Sequence, residues 1–229
     1  MAINLIILDL DGTLADTACD MTDAVNEVIR PFGVTPISPE ETRAAMGGGE
    51  KVLMEKLTGY GGAGLDLGRF RQDFARAYAA RMAAKTRLYP GVRATLGRLA
   101  YLPMVVLSNR RKTSIVPLLD RLGLLPLFRE VIGSDSGVGT KPSPDPVLHL
   151  LRQFDTEPDR AIMVGDCVHD IDAGRAAGIR TVAVTYGYGV DHRFVEQADF
   201  VIPRFSRLQQ VIGRLNRGSG ALHRNRPGR

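Results

Sequence analysis

No run of about 18 consecutive apolar residues occurs in this 229-residue chain, so no segment is long enough to cross a bilayer as a helix. The stretch from Ile3 to Leu8 is too short for the apolar centre of a secretory leader and no basic segment precedes it, so export is not expected. Cysteine is scarce: Cys19 and Cys167 are two isolated thiols, which suits a reduced, cytoplasmic protein. Acids are missing from residues 216–229, where Arg217, Arg224, Arg226 and Arg229 supply four of the formal +5 charges. Aromatic residues are missing there too, and stacking on bases would need them, so nucleic acid is not the expected partner. Gly218, Ser219, Gly220, Pro227 and Gly228 make this stretch a poor helix or strand, and a disordered, solvated tail is expected.

What is present is a chain with 44% apolar residues, enough for one large domain or a domain with an insert. Its most informative stretch is Ile3 to Thr17, an apolar, β-branched run that ends in Asp9-Leu10-Asp11-Gly12-Thr13. A strand is delivering charge to its own end. In an extended segment residues i and i+2 point the same way, so both carboxylates face one site beyond the strand. Acids that close repel unless a cation or a shared proton intervenes, and the spacing suggests a metal ion.

The next region reads differently. Ala18, Met21, Val25, Val28 and Ile29 recur at helical spacing, and Gly33 with Pro36 ends that helix. Ser38-Pro39-Glu40-Glu41 reads as an N-cap, a first-position proline and two first-turn acids. Glycine breaks at 47–49 and 59–64 enclose a short helix from about Glu50, and Leu67, Phe70, Phe74, Ala77, Tyr78 and Met82 mark a longer amphipathic one. Nothing in 15–85 looks like a strand of a parallel sheet. From Tyr89 onward, short apolar runs at 104–107, 130–133, 161–165, 181–186 and 200–202 alternate with helical stretches such as 111–122 and 144–154. That alternation predicts an α/β fold, a doubly wound parallel sheet with an inserted helical domain.

Ligands of such sheets bind beyond the carboxyl ends of the strands, and three of those ends carry polar residues. Ser108-Asn109 can donate to phosphate oxygens, and the same pair could equally cap the next helix. Lys141, followed by Pro142, opens a helix after a glycine-rich loop. Asp166 and Asp170 are four apart; on a helix they would stack on one face, where like charges destabilise without a cation or donor.

Asp9-x-Asp11-Gly12-Thr13 resembles the first motif of the haloacid dehalogenase superfamily, and Ser108, Lys141-Pro142-Ser143-Pro144 and Gly165-Asp166-x-x-x-Asp170 resemble its later motifs, in order. The phosphoglycolate phosphatase-like branch is the most similar, through Asp9 to Thr17, Lys141 to Pro144 and Tyr186-Gly187-Tyr188. The resemblance implies a Rossmann-like core at 1–14 and 86–215, a helical cap at 15–85 that closes over the site, and the basic tail at 216–229. It implies Asp9 as nucleophile and Asp11 as acid/base, a Mg2+ site at Asp9, Asp11, Asp166 and Asp170, and phosphate binding by Thr13, Ser108, Asn109 and Lys141. Arg43 and the turn beginning at Gly47 are the candidates to touch the leaving group, with a plain interhelical linker as the other reading of Gly47 to Gly49. The implied activity is Mg-dependent hydrolysis of a small phosphorylated metabolite such as 2-phosphoglycolate, with no membrane partner. A pyrophosphatase or sugar phosphomutase of the same branch, or a catalytically silent binding or regulatory module, are the alternatives.

Overall fold

The computed structural model describes residues 2–46, 67–189 and 192–217. Both glycine breaks, the short helix expected from about Glu50, and the tail beyond 217 lie outside them. In chain order the strands are β1 (Leu5–Leu8), β2 (Ala15–Asp16), β3 (Arg87–Leu88), β4 (Met104–Leu107), β5 (Glu130–Ile132), β6 (Ala161–Gly165), β7 (Arg180–Val184) and β8 (Phe200–Ile202). Among the described residues the α-helices are α1 (Ala18–Ile29), α2 (Pro39–Ala45), α3 (Leu67–Arg81), α4 (Val92–Leu99), α5 (Lys112–Arg121), α6 (Asp145–Gln153), α7 (Val168–Ala176), α8 (His192–Gln197) and α9 (Leu208–Asn216).

Six strands form one sheet in the order β5-β4-β1-β6-β7-β8, parallel at every pairing. Alternate side chains go to opposite faces, as the pleat requires. Ile6, Leu8, Met104, Val106, Ile162 and Val164 join an apolar cluster with α1, α3, α4, α5 and α9. Leu5, Ile7, Val105, Leu107, Ala161 and Met163 join a second with α6 and α7. A sheet buried on both faces explains why its strands read as continuous apolar runs rather than alternating ones. The chain winds outward from β1 through β4 to β5, then crosses back to β6 on the other side, so the winding reverses at β1.

Between β1 and β4 the helices α1, α2 and α3 pack on one another. Ser38 caps α2 with its hydroxyl, and the Glu41 side chain answers on the Ser38 amide, the reciprocal box that the sequence half announced. The insert is tied to the sheet by an antiparallel ribbon that sequence periodicity cannot reveal: β2 and β3 have two residues each, with Ala15 opposite Leu88 and Asp16 opposite Arg87. Asp20, wholly buried on α1, reinforces that join. Its carboxylate accepts from the amides of Lys85 (2.8 Å) and Thr86 (2.9 Å) and from the Thr86 hydroxyl (2.7 Å). Asp20→Ala strands three donors together and should cost about 2–4 kcal/mol of stability, readable in urea unfolding.

Candidate active site

The switch point gathers the functional side chains. Parallel register sets Leu8 beside both Val106 of β4 and Val164 of β6, so the residues that follow these three strands emerge together. They are Asp9, Ser108 and Asp166. β1 stops at Leu8, so Asp9 and Asp11 lie just beyond its carboxyl end. The loop is pinned by its own amides: Asp9 donates to the Val164 carbonyl, Leu14 to Leu10 and Gly12 to Ala15, each at 2.9 Å. Gly12 turns it at φ +88°, where a side chain is strained, and a Cβ there would overlap the Asp166 carboxylate.

Asp9 is 6% exposed. Burial pushes its carboxyl well above the usual carboxylate range; Lys141 pulls it down, while Asp170, Asp166 and Asp11 push it further up. Lys141, 4% exposed, answers that charge. Its Nζ lies 2.6 Å from Asp9 Oδ1, 2.6 Å from Asp170 Oδ1 and 2.8 Å from the Leu107 carbonyl, so all three of its donors are used. Burial by itself would lower the ammonium, but Asp170 and Asp9 outweigh it and hold it above its ordinary value.

Asp166 and Asp170 do not stack on one helix. Asp166 precedes α7, Cys167 is its N-cap, and Asp170 lies in the first turn with Oδ2 accepting from the Cys167 amide at 3.2 Å. The strand runs on into the loop at Asp166, and the helix winds only once the Asp170 carboxylate can cap it. Asp166 is held by the Thr13 hydroxyl on Oδ1 at 3.0 Å and by the amides of Tyr188 and Gly189 on Oδ2 at 2.7 and 3.3 Å. Its carboxyl is nevertheless pushed up to about 7, first by burial and then by Asp170. The Cys167 thiol is also driven well up, by burial and then by Asp170 and Asp166, and it points at Asp170 Oδ2 at 3.1 Å. It is a small capping thiol, not a nucleophile.

Asp11 keeps different company. Its Oδ1 accepts from Arg110 Nη1 at 2.9 Å and from the Thr17 hydroxyl at the start of the insert. Sequence reasoning gave Arg110 no role. The one available signal was a cation directly after a strand end that already carried Ser108 and Asn109.

The remaining expected residues are placed as follows. Ser108 is buried, its hydroxyl accepting the Arg110 amide at 3.2 Å; it does not cap α5, whose N-cap position is Arg111. Asn109 clamps the Lys141 peptide from both sides, donating to its carbonyl at 2.8 Å and accepting its amide at 2.9 Å, which aims the lysine. Thr13 supports Asp166 and is itself braced by the Tyr186 hydroxyl on its carbonyl at 2.9 Å. Arg43 reaches Asp16 at 3.1 Å, and Asp16 also accepts the Tyr188 hydroxyl at 2.7 Å, so the insert touches the loop whose amides hold Asp166. Gly47 lies outside the described residues.

The donor set suits a hard divalent cation. Asp9, Asp166 and Asp170 offer carboxylate oxygens, the ligand chemistry of magnesium. Ligand atoms of Asp166, Cys167 and Asp170 lie within 4.8 Å of one another. Glycines let the backbone pack directly on the Asp166 side chain, since a Cβ at Gly12 or at Gly187 would overlap it.

A family model of haloacid dehalogenase-like hydrolases matches residues 6–184. A phosphoglycolate phosphatase from Chromobacterium violaceum is 36% identical over 192 residues, covering 81% of this chain and 86% of the relative. Among solved structures, a predicted phosphoglycolate phosphatase from Haemophilus somnus superposes with a TM-score of 0.86 at 27% identity, covering 91% and 97% of the two chains. CbbY from Rhodobacter sphaeroides, solved in complex with phosphate, gives 0.78 at 25% identity, covering 90% and 96%.

Proposed function

Because this chain belongs to the haloacid dehalogenase-like hydrolases, we propose that it is a magnesium-dependent phosphomonoesterase that works through Asp9 on a small phosphorylated metabolite, most simply 2-phosphoglycolate. The observation that carries the reading is the buried Asp9 held at 2.6 Å by Lys141, beside two further acids, at the one point where the sheet's winding reverses. A binding module has no use for an acid kept so crowded.

The Asp9 carboxylate attacks phosphorus; an O–P bond forms to Asp9 as the bond to the leaving oxygen breaks, and Asp11 gives that oxygen its proton. Asp11, now a base, takes a proton from the water that cleaves the aspartyl-phosphate and frees Asp9. Lys141 sets its charge against the dianion, with Ser108 and the loop amides after Asp9 as donors to the transferring group. Asp9, Asp166, Asp170 and the Asp11 carbonyl would hold magnesium, which when bound neutralises phosphate charge and orients its oxygens. Residues 15–85 act as the cap, excluding water and favouring a small substrate. Two half-buried free thiols fit a reducing, cytoplasmic setting.

The test is phosphate release, with and without magnesium, from 2-phosphoglycolate, pyrophosphate, sugar phosphates and nucleotides. One strongly preferred small ester supports the reading. Preference for pyrophosphate replaces the substrate, and a folded protein inactive on every ester overturns the hydrolase.

Metal and protons should compete for the same oxygens. The folded Asp166 carboxyl holds its proton up to about 7 against an ordinary 3.8, so the metal-free folded state binds more protons than the unfolded chain in that window and loses stability as pH rises through it. Magnesium binds the ionised form. The rise in melting temperature that it causes should therefore be small near pH 5 and grow toward pH 7.5, and Asp166→Asn should flatten the trend.

A further inference from the structure

A guanidinium sits where no motif calls for one. Arg110 is 4% exposed, and a charge that deep is costly unless it is paired. It has two kinds of support. Nη1 meets Asp11 Oδ1 at 2.9 Å, and its Cζ stands 4.2 Å from the centroid of the Tyr78 ring. That ring is 2% exposed and belongs to α3 of the insert, not to the sheet. Phe74 stacks behind it at 6.0 Å and Phe70 behind Phe74 at 6.3 Å, so the ring has little freedom to move. A desolvated cation is attracted to the negative face of a fixed aromatic ring, so the contact helps to hold the guanidinium in place.

We propose that Arg110 is a positioning residue for Asp11, and that the Tyr78 ring carried by the helical insert seats it. The inference rests on the reading of Asp11 as the acid/base. Arg110 and the Thr17 hydroxyl both engage Oδ1, so two contacts from different elements fix how the Asp11 carboxyl group is turned. Oδ2 is left for the exchange of a proton, so the contacts choose which oxygen faces the substrate. In the step itself the proton leaves Oδ2 for the leaving oxygen as the P–O bond breaks, and Arg110 retains its own protons throughout.

Both fixing contacts depend on the insert. Thr17 lies in the linker immediately before α1, and Arg110 is held from the far side by α3. An insert displaced from the sheet removes the ring from the guanidinium and shifts the threonine, so the acid is aimed only while the insert is seated. This couples proton transfer to enclosure, which keeps the proton donor from being presented to bulk water.

The leaving group supplies a readout that a merely structural role would not move. An alkyl phosphate needs its departing oxygen protonated; p-nitrophenyl phosphate, with a stable phenolate, does not. The experiment compares kcat/KM for 2-phosphoglycolate, ethyl phosphate and p-nitrophenyl phosphate in the full-length protein with magnesium. Variants are Arg110→Gln, Arg110→Lys, Tyr78→Leu, Tyr78→Phe and Asp11→Asn, each checked by thermal melting. General-acid catalysis is worth about 10²–10⁴-fold, so Arg110→Gln is expected to lose about 10–100-fold on both alkyl esters and under about 3-fold on the aryl ester. Arg110→Lys should recover part of the loss, Tyr78→Phe should act like the parent, and Tyr78→Leu should show the alkyl-selective loss in milder form. Equal losses on all three esters would reduce Arg110 to fold support. A KM rise confined to anionic 2-phosphoglycolate, with ethyl phosphate untouched, would make it a leaving-group binder instead. Either result overturns the proposal. Asp11→Asn separates the layers: if it shows no alkyl selectivity the acid/base reading fails, and if it does while Arg110→Gln does not, only the role of Arg110 fails. Should Arg110→Gln not fold, Arg110→Lys and Tyr78→Leu carry the same comparison.

Discussion

Asp9→Asn should abolish phosphate release, by about 10⁴-fold or more, in a protein that melts no lower than the parent. The amide has the shape of the carboxyl and none of its nucleophilicity, so the loss falls on chemistry. Stability should hold for an electrostatic reason. Asp9 shares its pocket with Asp166 and Asp170, and burial drives its carboxyl well above the ordinary range. Replacing it with a neutral group relieves that crowding, while Lys141 keeps Asp170 at 2.6 Å as a counterion. Two measurements on one sample decide it: phosphate release with magnesium, and a thermal melt in the same buffer. A folded Asp9→Asn protein that still turns over would remove Asp9 as the nucleophile, and with it the aspartyl-phosphate. Acid quenching during turnover gives an independent view, since label from the substrate should stay on the parent protein and not on the variant.

The parts of this site that were legible in the sequence are those in which a local rule is broken. Charge at the end of an apolar strand is such a break, and Asp9, Asp166 and the polar pair at Ser108 announce themselves in that way. The strands were legible for a related reason: burial on both faces makes β4 and β6 short apolar runs, and they stand where the sequence puts them; β8, at the sheet edge with Val201 exposed, is apolar without that burial and also matches. The misplacements have physical causes. The run at 181–186 overshoots β7, which ends at Val184, because Tyr186-Gly187-Tyr188 leaves the sheet to bring its amides and hydroxyls against Asp166 and Asp16. Asp166 and Asp170, spaced like helical neighbours, straddle a helix start, which spacing alone does not disclose. The β2–β3 ribbon is too short to show any period. Arg110 was invisible because its meaning comes from Asp11 and Tyr78, 99 and 32 residues away, and Tyr78 read only as one more apolar position on its helix.

Lys141→Met should damage both stability and activity, and the way the two separate is diagnostic. Methionine has nearly the length of lysine, so packing is kept and the charge is lost. What remains is two carboxylates buried side by side, Asp9 and Asp170, and a Leu107 carbonyl without its donor. Removing one partner of a buried ion pair costs about 3–5 kcal/mol. In a chain of this size each kcal/mol moves the melting temperature by about 2–4 °C, so a fall on the order of 10 °C is expected. Phosphate release should fall by about 10³-fold or more, because neither the attacking carboxylate nor the dianion it approaches is screened any longer. Residues acting as one unit are not additive, and a second substitution exploits this. Asp170→Asn in the Lys141→Met background removes one of the two stranded acids, so the double variant should melt higher than Lys141→Met alone and yet stay inactive. Stability restored in the double variant would place the lysine's charge in the fold, and the loss of turnover in Lys141→Met alone would place it in the reaction. A Lys141→Met protein that melts like the parent would mean that the ion pairs contribute little to the fold, and that the ammonium serves the phosphate alone.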